Sequence, residues 1–252
     1  LFPHNKWRDF CQLTGATLTA WRQYYGNSVV DFGAGKLNNT RTLRKAGVQV
    51  AAFEPYFVTA GDKIHKAKSL ELTRHFLADV QSGRLFSTVF ISSVFNSVPF
   101  MADRKQIAII AAALCAPEGI CVCWCQSDKA SQFTNTKRKA LSREKSLTFD
   151  LDYEPNIILG DFGKCPKVQK GHTAAELQEI FAPCFRRIKR LELINKFWYL
   201  EAAEPIVQPA ALAAALDFEF DLPYPDGSRM GLVAEARAAF AQRLGIEWPK
   251  GG

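Results

Sequence analysis

One stretch near the start of the chain constrains its fold more than any other. In Val29 to Phe57, "VVDFGAGKLNNTRTLRKAGVQVAAFEPYF", an apolar run ends in Asp31 and two glycines, a polar helical stretch follows, and a second apolar run ends in Glu54. This order is typical of a β-α-β unit, whose two strands lie parallel in one sheet. Because ligands of such sheets bind at the carboxyl ends of the strands, we expect both acids to lie beside one ligand.

The same alternation continues along the chain. "FSTVFISSV" and "GICVCWC" are strand patterns with the helical pattern "ADRKQIAIIAAAL" between them, and "RRIKRLELI" and "KFWYLEAAE" follow as two strands separated by a short turn. The last two strands predict an antiparallel hairpin. We therefore predict an α/β fold with a doubly wound, mostly parallel seven-stranded sheet and an antiparallel last strand.

Composition shifts along the chain predict its organisation. We expect an N-terminal helical lid at 1–27, a Rossmann-like domain at 28–204 and a helical C-terminal extension at 205–252. A polar, basic stretch at 126–157 interrupts the pattern and is interpreted as an insertion. Thr173 and Glu176 have the spacing of a capping box, which predicts the start of a helix.

Charge and apolar content narrow the class of protein. The chain has 252 residues, of which 48% are apolar, and a formal net charge of +7. Its size allows a large packed core, and the charge favours polyanionic partners. No window reaches the ~20 apolar residues that a membrane span needs, so we expect a soluble, cytoplasmic protein without a membrane partner.

The cysteines do not predict a metal site. The chain has 7, without the spacing of a disulfide framework, which favours reduced thiols in a cytoplasm. Cys121, Cys123 and Cys125 lie in a strand pattern, where alternate side chains are about 6.5 Å apart. Ligands of one zinc ion lie much closer together, since the Zn–S distance is about 2.3 Å. We predict buried thiols and no metal.

Two classes of ligand fit glycines after the first strand and an acid after the second. Glycine lets the backbone approach a ligand, and Glu54 could accept hydrogen bonds from ribose hydroxyls. A nicotinamide dinucleotide also needs a third glycine, where this chain has Asn38. Asp31, two residues before the first glycine, would repel a pyrophosphate but attract a cation.

These two motifs resemble those of a known family. "VVDFGAG" is similar to the first motif of the class I SAM-dependent methyltransferases, and "AAFEP" is similar to their second. The resemblance implies S-adenosylmethionine (SAM) as cofactor. It implies that Asp31, Gly33 and Gly35 hold the methionine part, and that Glu54 holds the ribose.

The resemblance also assigns the adenine pocket. Pro55, with Tyr56, would flank the adenine. Asp79 in "FLADVQ" resembles the acid that follows the family's third strand and accepts from the adenine amine, with Val80 beside it. "FISSVFNSVPF" is similar to the fourth-strand segment, which adds Ser92 and Ser93 as cofactor-binding candidates.

The catalytic candidates are fewer, because methyl transfer is an in-line displacement that depends chiefly on alignment. Asn96 begins "NSVPF", which keeps only part of the motif of nucleic-acid amino-methylating enzymes, and no Pro-Cys pair for cytosine carbon-five chemistry follows that strand. Asn96 is a candidate for orienting an acceptor and equally for capping a turn. Asp128 and Asp152 are candidate bases, but solvated carboxylates are the stronger interpretation. His172 could face the cleft and transfer a proton, but a surface position is the stronger interpretation.

The acceptor is predicted from two further segments. Tyr24 and Tyr25 precede the first strand, where they could stack on a substrate or pack in the core. Basic residues with interleaved aromatics in the insertion could contact DNA or RNA, or could equally form a solvated helix face. The substrate-binding candidates are Tyr25, Lys137, Arg138 and Lys139.

Three functions follow for this chain. A methyltransferase of nucleic acids or nucleotides is the first. A small-molecule methyltransferase is the second, and a cleft without exposed Lys or Arg would favour it. A non-catalytic protein that keeps the fold for binding is the third. The sequence predicts neither the acceptor atom nor the oligomeric state.

Overall fold

The computed structural model describes residues 15–59, 63–134, 154–160 and 167–248. A six-stranded mixed sheet with strand order β2-β1-β3-β4-β8-β7 forms the centre, and β5 and β6 pair separately. The strands are β1 (Ser28–Phe32), β2 (Gln49–Phe53), β3 (Phe86–Ser92), β4 (Cys115–Gln126), β5 (Ile157–Gly160), β6 (Lys167–Lys170), β7 (Phe185–Ile194) and β8 (Phe197–Pro205).

The direction of the strands agrees with the sequence pattern. β2, β1, β3 and β4 are parallel, whereas β8 runs antiparallel to both of its neighbours, β4 and β7. The predicted α/β fold, with a mostly parallel sheet and an antiparallel last strand, is confirmed.

The predicted number of strands is wrong for the described part of the chain. Its main sheet has six strands instead of seven, and β2 lies at its edge. Between β2 and β3 the described residues form one long helix, Lys66–Gln81, and no further strand of this sheet. The family's third strand therefore has no counterpart in the described residues.

Helices cover both faces of the sheet. They are α1 (Gly15–Tyr25), α2 (Asn38–Lys45), α3 (Lys66–Gln81), α4 (Met101–Leu114), α5 (Ser131–Thr134), α6 (Ala174–Phe181), α7 (Pro209–Glu219) and α8 (Val233–Leu244). Trp21 of α1 and Leu43 of α2 pack on one face of the sheet. Phe76 of α3, Ile107 of α4 and Leu177 of α6 belong to the larger core on the other face. The predicted capping box is present at the start of α6.

The C-terminal helices pack on the larger core instead of on the sheet itself. α7 lies against α4, and α8 lies against α3. At the end of α7, the ring of Phe220 is 5.3 Å from that of Phe53 and 6.5 Å from that of Phe76. These contacts bring the end of α7 to the carboxyl end of β2.

The cysteine-rich strand lies at the centre of the sheet. Cys121, Cys123 and Cys125 of β4 are fully buried free thiols, and burial raises the pKa values of Cys121 and Cys125 well above the usual range. Within the described ranges, no group of three potential metal-ligating side chains is arranged to hold an ion. No described helix is long and apolar enough to cross a bilayer.

Candidate cofactor site

A cavity of about 600 Å³ opens at the carboxyl ends of β1, β2 and β3. This is where a parallel sheet is expected to bind its ligand. Part of its wall comes from the loops after these three strands and part from α4 and the end of α7. Its lining consists of Phe32, Gly33, Gly35, Phe53, Glu54, Pro55, Tyr56, Ser92, Ser93, Val94, Ser97, Val98, Pro99, Asp103, Ile107, Phe218, Glu219 and Leu222.

The loop after β1 needs its glycines. Gly33 has φ 76° and Gly35 has φ 54°, both in the left-handed region that favours glycine. A Cβ on Gly33 would lie 2.3 Å from Cγ2 of Val94, so a side chain there would clash with the loop after β3. The N–H of Gly33 donates to the carbonyl of Phe53 at 2.8 Å. These contacts fix the loop against the end of β2.

Glu54 is held in place by the backbone at the end of β2. Its Oε2 accepts from the N–H of Gly35 at 2.5 Å, and its Oε1 accepts from the N–H of Tyr56 at 3.0 Å. Burial raises the pKa of Glu54, while the two backbone hydrogen bonds oppose that rise. The carboxylate thus has a fixed orientation at the cavity wall. Its remaining lone pairs can accept from ligand hydroxyls.

The ionisable side chains of the described lining are all carboxylic acids. Glu54, Asp103 and Glu219 line the cavity, and no Lys, Arg or His is among the described lining residues. Burial raises the pKa of Glu219 to about 8, and the nearby charges of Asp103 and Glu54 add to the rise. Burial also raises the pKa of Asp103. Such a cavity attracts a cationic ligand and repels a pyrophosphate.

Asp31 lies beside this cavity but not in its lining. Its side chain is buried, and Oδ2 accepts from the hydroxyl of Thr40 in α2 at 2.6 Å. Burial raises the pKa of Asp31 to about 6, although the hydrogen bond from Thr40 opposes the rise. The structure therefore ties Asp31 to the helix after the glycine loop. Its role toward the methionine part stays a prediction.

The other predicted residues of the first, second and fourth strands come together in the cavity. Gly33, Gly35, Pro55, Ser92 and Ser93 all belong to the lining. Ser93 has φ 62°, which is strained for a residue other than glycine, and its N–H donates to the carbonyl of Trp124 at 2.6 Å. Such strain at a cavity wall is typical of functional sites.

Asp79 and Val80 do not lie where the resemblance put them. Both belong to α3, Val80 is fully buried in the core, and Asp79 forms an ion pair with Arg84 at 2.8 Å. They shortly precede the start of β3 and so lie near the amino ends of the strands, whereas the cavity lies at the carboxyl ends. The reason is the missing third strand, because the acid of the family motif follows that strand. The assignment to the adenine pocket is wrong for both residues.

The catalytic candidates also lie outside the lining. Asn96 is buried, and its side-chain oxygen accepts from the N–H of Gln126 at 2.8 Å, so it joins the turn after β3 to the end of β4. Asp128 forms an ion pair with Lys129 at 3.1 Å. His172 is fully buried instead of at the surface, and burial lowers its pKa well below the usual range. Structural contacts engage the side chains of Asn96 and Asp128, whereas neither ring nitrogen of His172 has a hydrogen-bond partner among the described residues.

The tyrosines before β1 serve packing and a polar contact on the other face of the sheet. Tyr25 is buried in the core with Trp21 and Phe90, which contradicts its assignment to substrate binding. Tyr24 is exposed at its ring, and its hydroxyl donates to Oε2 of Glu201 at 2.7 Å. Neither tyrosine lines the cavity.

The nucleic-acid contacts proposed for the basic insertion stay a prediction. Lys137, Arg138 and Lys139, together with the candidate base Asp152, lie outside the described residues.

Sequence reasoning missed part of the cavity wall. Asp103 lies in the first turn of α4, and Phe218, Glu219 and Leu222 belong to the C-terminal extension; none of the four is among the residues predicted for the site. One signal was present in the sequence. Glu219 follows Leu212 and Leu216 at helical spacing, so a glutamate occupies the apolar face of α7.

Comparison with known proteins gives likeness in structure but not in sequence. No protein-family model matches the chain, and no curated protein matches it. A SAM-dependent methyltransferase from Methanosarcina mazei has a TM-score of 0.51 and 13% identity, with 75% of this chain and 98% of that chain covered. An S-adenosylmethionine-dependent methyltransferase from Clostridium acetobutylicum has a TM-score of 0.49 and 10% identity, with 79% and 92% covered.

A longer protein is similar over part of its length. The chain spans 54% of the pyocyanin biosynthetic protein PhzM, with 79% of this chain covered, a TM-score of 0.44 and 14% identity. At identities this low the likeness is one of fold alone. The strand order, the glycine loop and the likeness to the Methanosarcina mazei enzyme agree, and the chain has the fold of the class I SAM-dependent methyltransferases.

Proposed function

We propose that this protein is a SAM-dependent methyltransferase whose acceptor is a small molecule. One observation carries the proposal. The cavity at the carboxyl ends of the strands combines a glycine loop, a Glu54 carboxylate held by two backbone N–H groups, and an acidic lining without Lys, Arg or His among its described residues. The fold agrees with this function but does not by itself establish it.

The lining fits SAM better than a nicotinamide dinucleotide. SAM carries an ammonium and a sulfonium group, and acids around the cavity attract both. Glu54, held by two backbone N–H groups, would accept from ribose hydroxyls, and the space beside Gly35 is open, since a Cβ there would meet no atom within 4 Å. A pyrophosphate in the same place would face Glu54 and Asp103 without a counter-charge from the described lining.

The sulfonium supplies an activated methyl group, and the chain has to position the acceptor behind it. Alignment in a closed cavity can account for a large part of such a rate enhancement. Ser92, Ser93 and Ser97 supply hydroxyls to the cavity wall, where they can orient an acceptor. Asn96 and Asp128 are engaged elsewhere, so we propose no role in proton transfer for either.

The shape and charge of the cavity favour a small acceptor over a nucleic acid. Phe218, Glu219 and Leu222 of the C-terminal extension close one side of the cavity. A nucleic-acid acceptor would bring phosphates toward an acidic opening, whereas its recognition relies on Lys and Arg. The small-molecule alternative is therefore preferred to the nucleic-acid hypothesis.

Calorimetry with S-adenosylhomocysteine (SAH), the demethylated product of SAM, tests the proposal. We expect SAH to bind with a dissociation constant in the micromolar range, about −8 kcal/mol, and NAD not to bind. Tritium transfer from methyl-labelled SAM to an extract fractionated by size then tests the acceptor class. Binding of NAD but not of SAH would refute the cofactor, and label confined to nucleic acid would refute the acceptor.

A further inference from the structure

Glu219 is a buried acid without a partner in the described structure. Its side chain lines the cavity, and the residue is 5% exposed. No described residue donates a hydrogen bond to it or forms an ion pair with it. A buried polar group without a partner is costly, and its retention at a cavity wall points to a ligand that completes its hydrogen bonds.

The contacts of α7 locate Glu219 within the cavity. The residue after it, Phe220, packs on Phe53 at the end of β2. Further along, the carbonyl of Pro223 accepts from the hydroxyl of Tyr56 at 2.9 Å, and the ring of Tyr224 is 6.0 Å from that of Tyr56. The charge of Glu219 also contributes to a raised pKa of Tyr56. Glu219 thus lies in the part of the cavity that contains Glu54 and Tyr56.

Its surroundings keep Glu219 protonated at neutral pH. The groups that face it are Asp103 of α4, Glu54 after β2 and the phenol of Tyr56. Burial and the two carboxylates raise the pKa of Glu219 to about 8. A protonated carboxyl group has one O–H donor and a carbonyl acceptor side by side, whereas an ionised one has acceptors only.

The Watson–Crick edge of adenine has the matching pair of groups. Its N1 accepts a hydrogen bond, and the adjacent N6 amine donates one. We propose that Glu219 recognises the adenine of the cofactor, donating its carboxyl proton to N1 and accepting from N6. This inference rests on the proposed function, because the adenine belongs to SAM.

The assignment gives the adenine an acid that the missing third strand does not supply. The described residues form one helix between β2 and β3, and Asp79 lies near the amino ends of the strands. The C-terminal extension supplies a carboxyl group to the cavity from another part of the sequence. With Pro55 and Tyr56 in the same lining, the adenine would have both a wall and a hydrogen-bonding edge.

The competing use of Glu219 is attraction of a cationic group, and it predicts the opposite pH dependence. A cation binds more tightly as Glu219 loses its proton, so its affinity would rise with pH. An adenine edge needs the protonated form, so its affinity would fall above about pH 8. The two uses can therefore be separated with a probe that has an adenine and no charge.

Binding of SAH to three variants tests the inference at pH 6.5. Glu219→Ala removes both hydrogen bonds and is expected to weaken binding about tenfold or more. Glu219→Gln keeps an acceptor and a donor and is expected to stay within about threefold of the wild type. Glu235→Gln, on exposed α8, is the matched control and should change nothing. Binding of SAH that is equal in wild type and Glu219→Ala overturns the inference but leaves the proposed function. No binding of SAH by the wild type overturns both.

Methylthioadenosine and its 1-deaza analogue complete the test. Methylthioadenosine has no group that titrates between about pH 6.5 and 9, and the analogue lacks N1. For wild type we expect methylthioadenosine to bind about tenfold more weakly at pH 9 than at pH 7, and for Glu219→Gln we expect no such change. The analogue should bind more weakly than its parent to wild type but equally to Glu219→Ala. Affinity that rises with pH, or an equal loss with the analogue in both proteins, overturns the inference.

Discussion

Two groups of ionisable side chains, one including Arg104 of α4 and the other its neighbour Asp103, differ in their balance of acids and bases. The ion network contains two bases and two acids, Arg104, Lys170, Glu154 and Glu176. The cavity acids are Glu54, Asp103 and Glu219, with no base among the described lining residues. The first group satisfies its charges within the protein. The second leaves them for a ligand, and this difference distinguishes structural charge from charge kept for binding.

The ion network supports the wall of the cavity. Nη2 of Arg104 lies 3.2 Å from Oε2 of Glu154, and Nη1 of Arg104 donates to the carbonyls of Val98 and Pro99 at 2.8 and 2.6 Å. Val98 and Pro99 both line the cavity. Asp103 and Arg104 are neighbours in α4, yet one belongs to the cavity and the other to the network. The ion network thus holds the backbone of Val98 and Pro99, which forms part of the wall around the cavity acids.

The largest effect is expected from removing one acid of the ion network. Glu154→Ala leaves Arg104 and Lys170 buried with one acid fewer and takes the acceptor from the N–H of Met101. Removing one partner of a buried ion pair costs about 3–5 kcal/mol of unfolding free energy. Urea denaturation measures this loss.

An exposed ion pair between α4 and α6 is the control for Glu154→Ala. Glu179 pairs with Lys105 at 2.8 Å, and both side chains are exposed. Glu179→Ala should therefore cost at most about 1 kcal/mol. Equal losses for the two variants would contradict the structural role of the network.

The second largest effect should come from replacing one of the cavity acids, Glu219, with a neutral side chain. The pKa of Glu219 is about 8 in the folded protein, against an ordinary value of 4.5. The folded state therefore retains a proton that the unfolded state loses, so its contribution to stability is full below about pH 4.5 and is lost as pH rises through about 8. Glu219→Gln should raise the unfolding free energy by about 2–4 kcal/mol at pH 8 and have little effect at pH 4.5. Urea denaturation across this pH range tests the sign, and a gain that is independent of pH would contradict it.

Glu54→Ala should reduce ligand binding more than stability. It removes a carboxylate that is oriented by Gly35 and Tyr56 toward the cavity. The loss of hydrogen bonds to a charged acceptor should cost about 1.5–3 kcal/mol of SAH affinity, which calorimetry measures. Glu71→Ala, on the exposed side of α3, is the control. An unchanged dissociation constant in folded Glu54→Ala would move the ribose site elsewhere.

One wall of the cavity comes from the loops after the strands and another from the end of α7, and comparing them shows what sequence can predict. Gly33, Gly35 and Glu54 follow strands whose apolar patterns are local, and parallel strands bring their ends together by topology alone. The structure accordingly brings these residues together in the lining of one cavity, and their binding of a cofactor stays a prediction. Asp79 failed, because its assignment assumed a strand between β2 and α3 that the described chain does not form.

The remaining misses concern contacts between distant segments. Glu219 reaches the cavity because Phe220 packs on Phe53 and Phe76, a contact that no local pattern specifies. Similarly, Tyr25 and Asn96 have residue types that suit binding, and only the tertiary structure shows that they are buried in structural contacts. Polar residues on an apolar helical face are the signal that would have recovered Glu219.

The smallest effect is expected at Tyr56, where the loop after β2 contacts the segment after α7. Tyr56→Phe removes the hydroxyl that donates to the carbonyl of Pro223 but keeps the ring beside Tyr224. Because the bond lies at an exposed rim, where water can replace it, the loss of unfolding free energy should be below about 1 kcal/mol. SAH affinity should fall by no more than about threefold, since the apolar contacts of Phe220 still hold the end of α7. Denaturation and calorimetry on the same preparation measure both quantities. A tenfold loss of SAH affinity with unchanged stability would mean that the hydroxyl, instead of the packing of Phe220, positions Glu219 in the cavity.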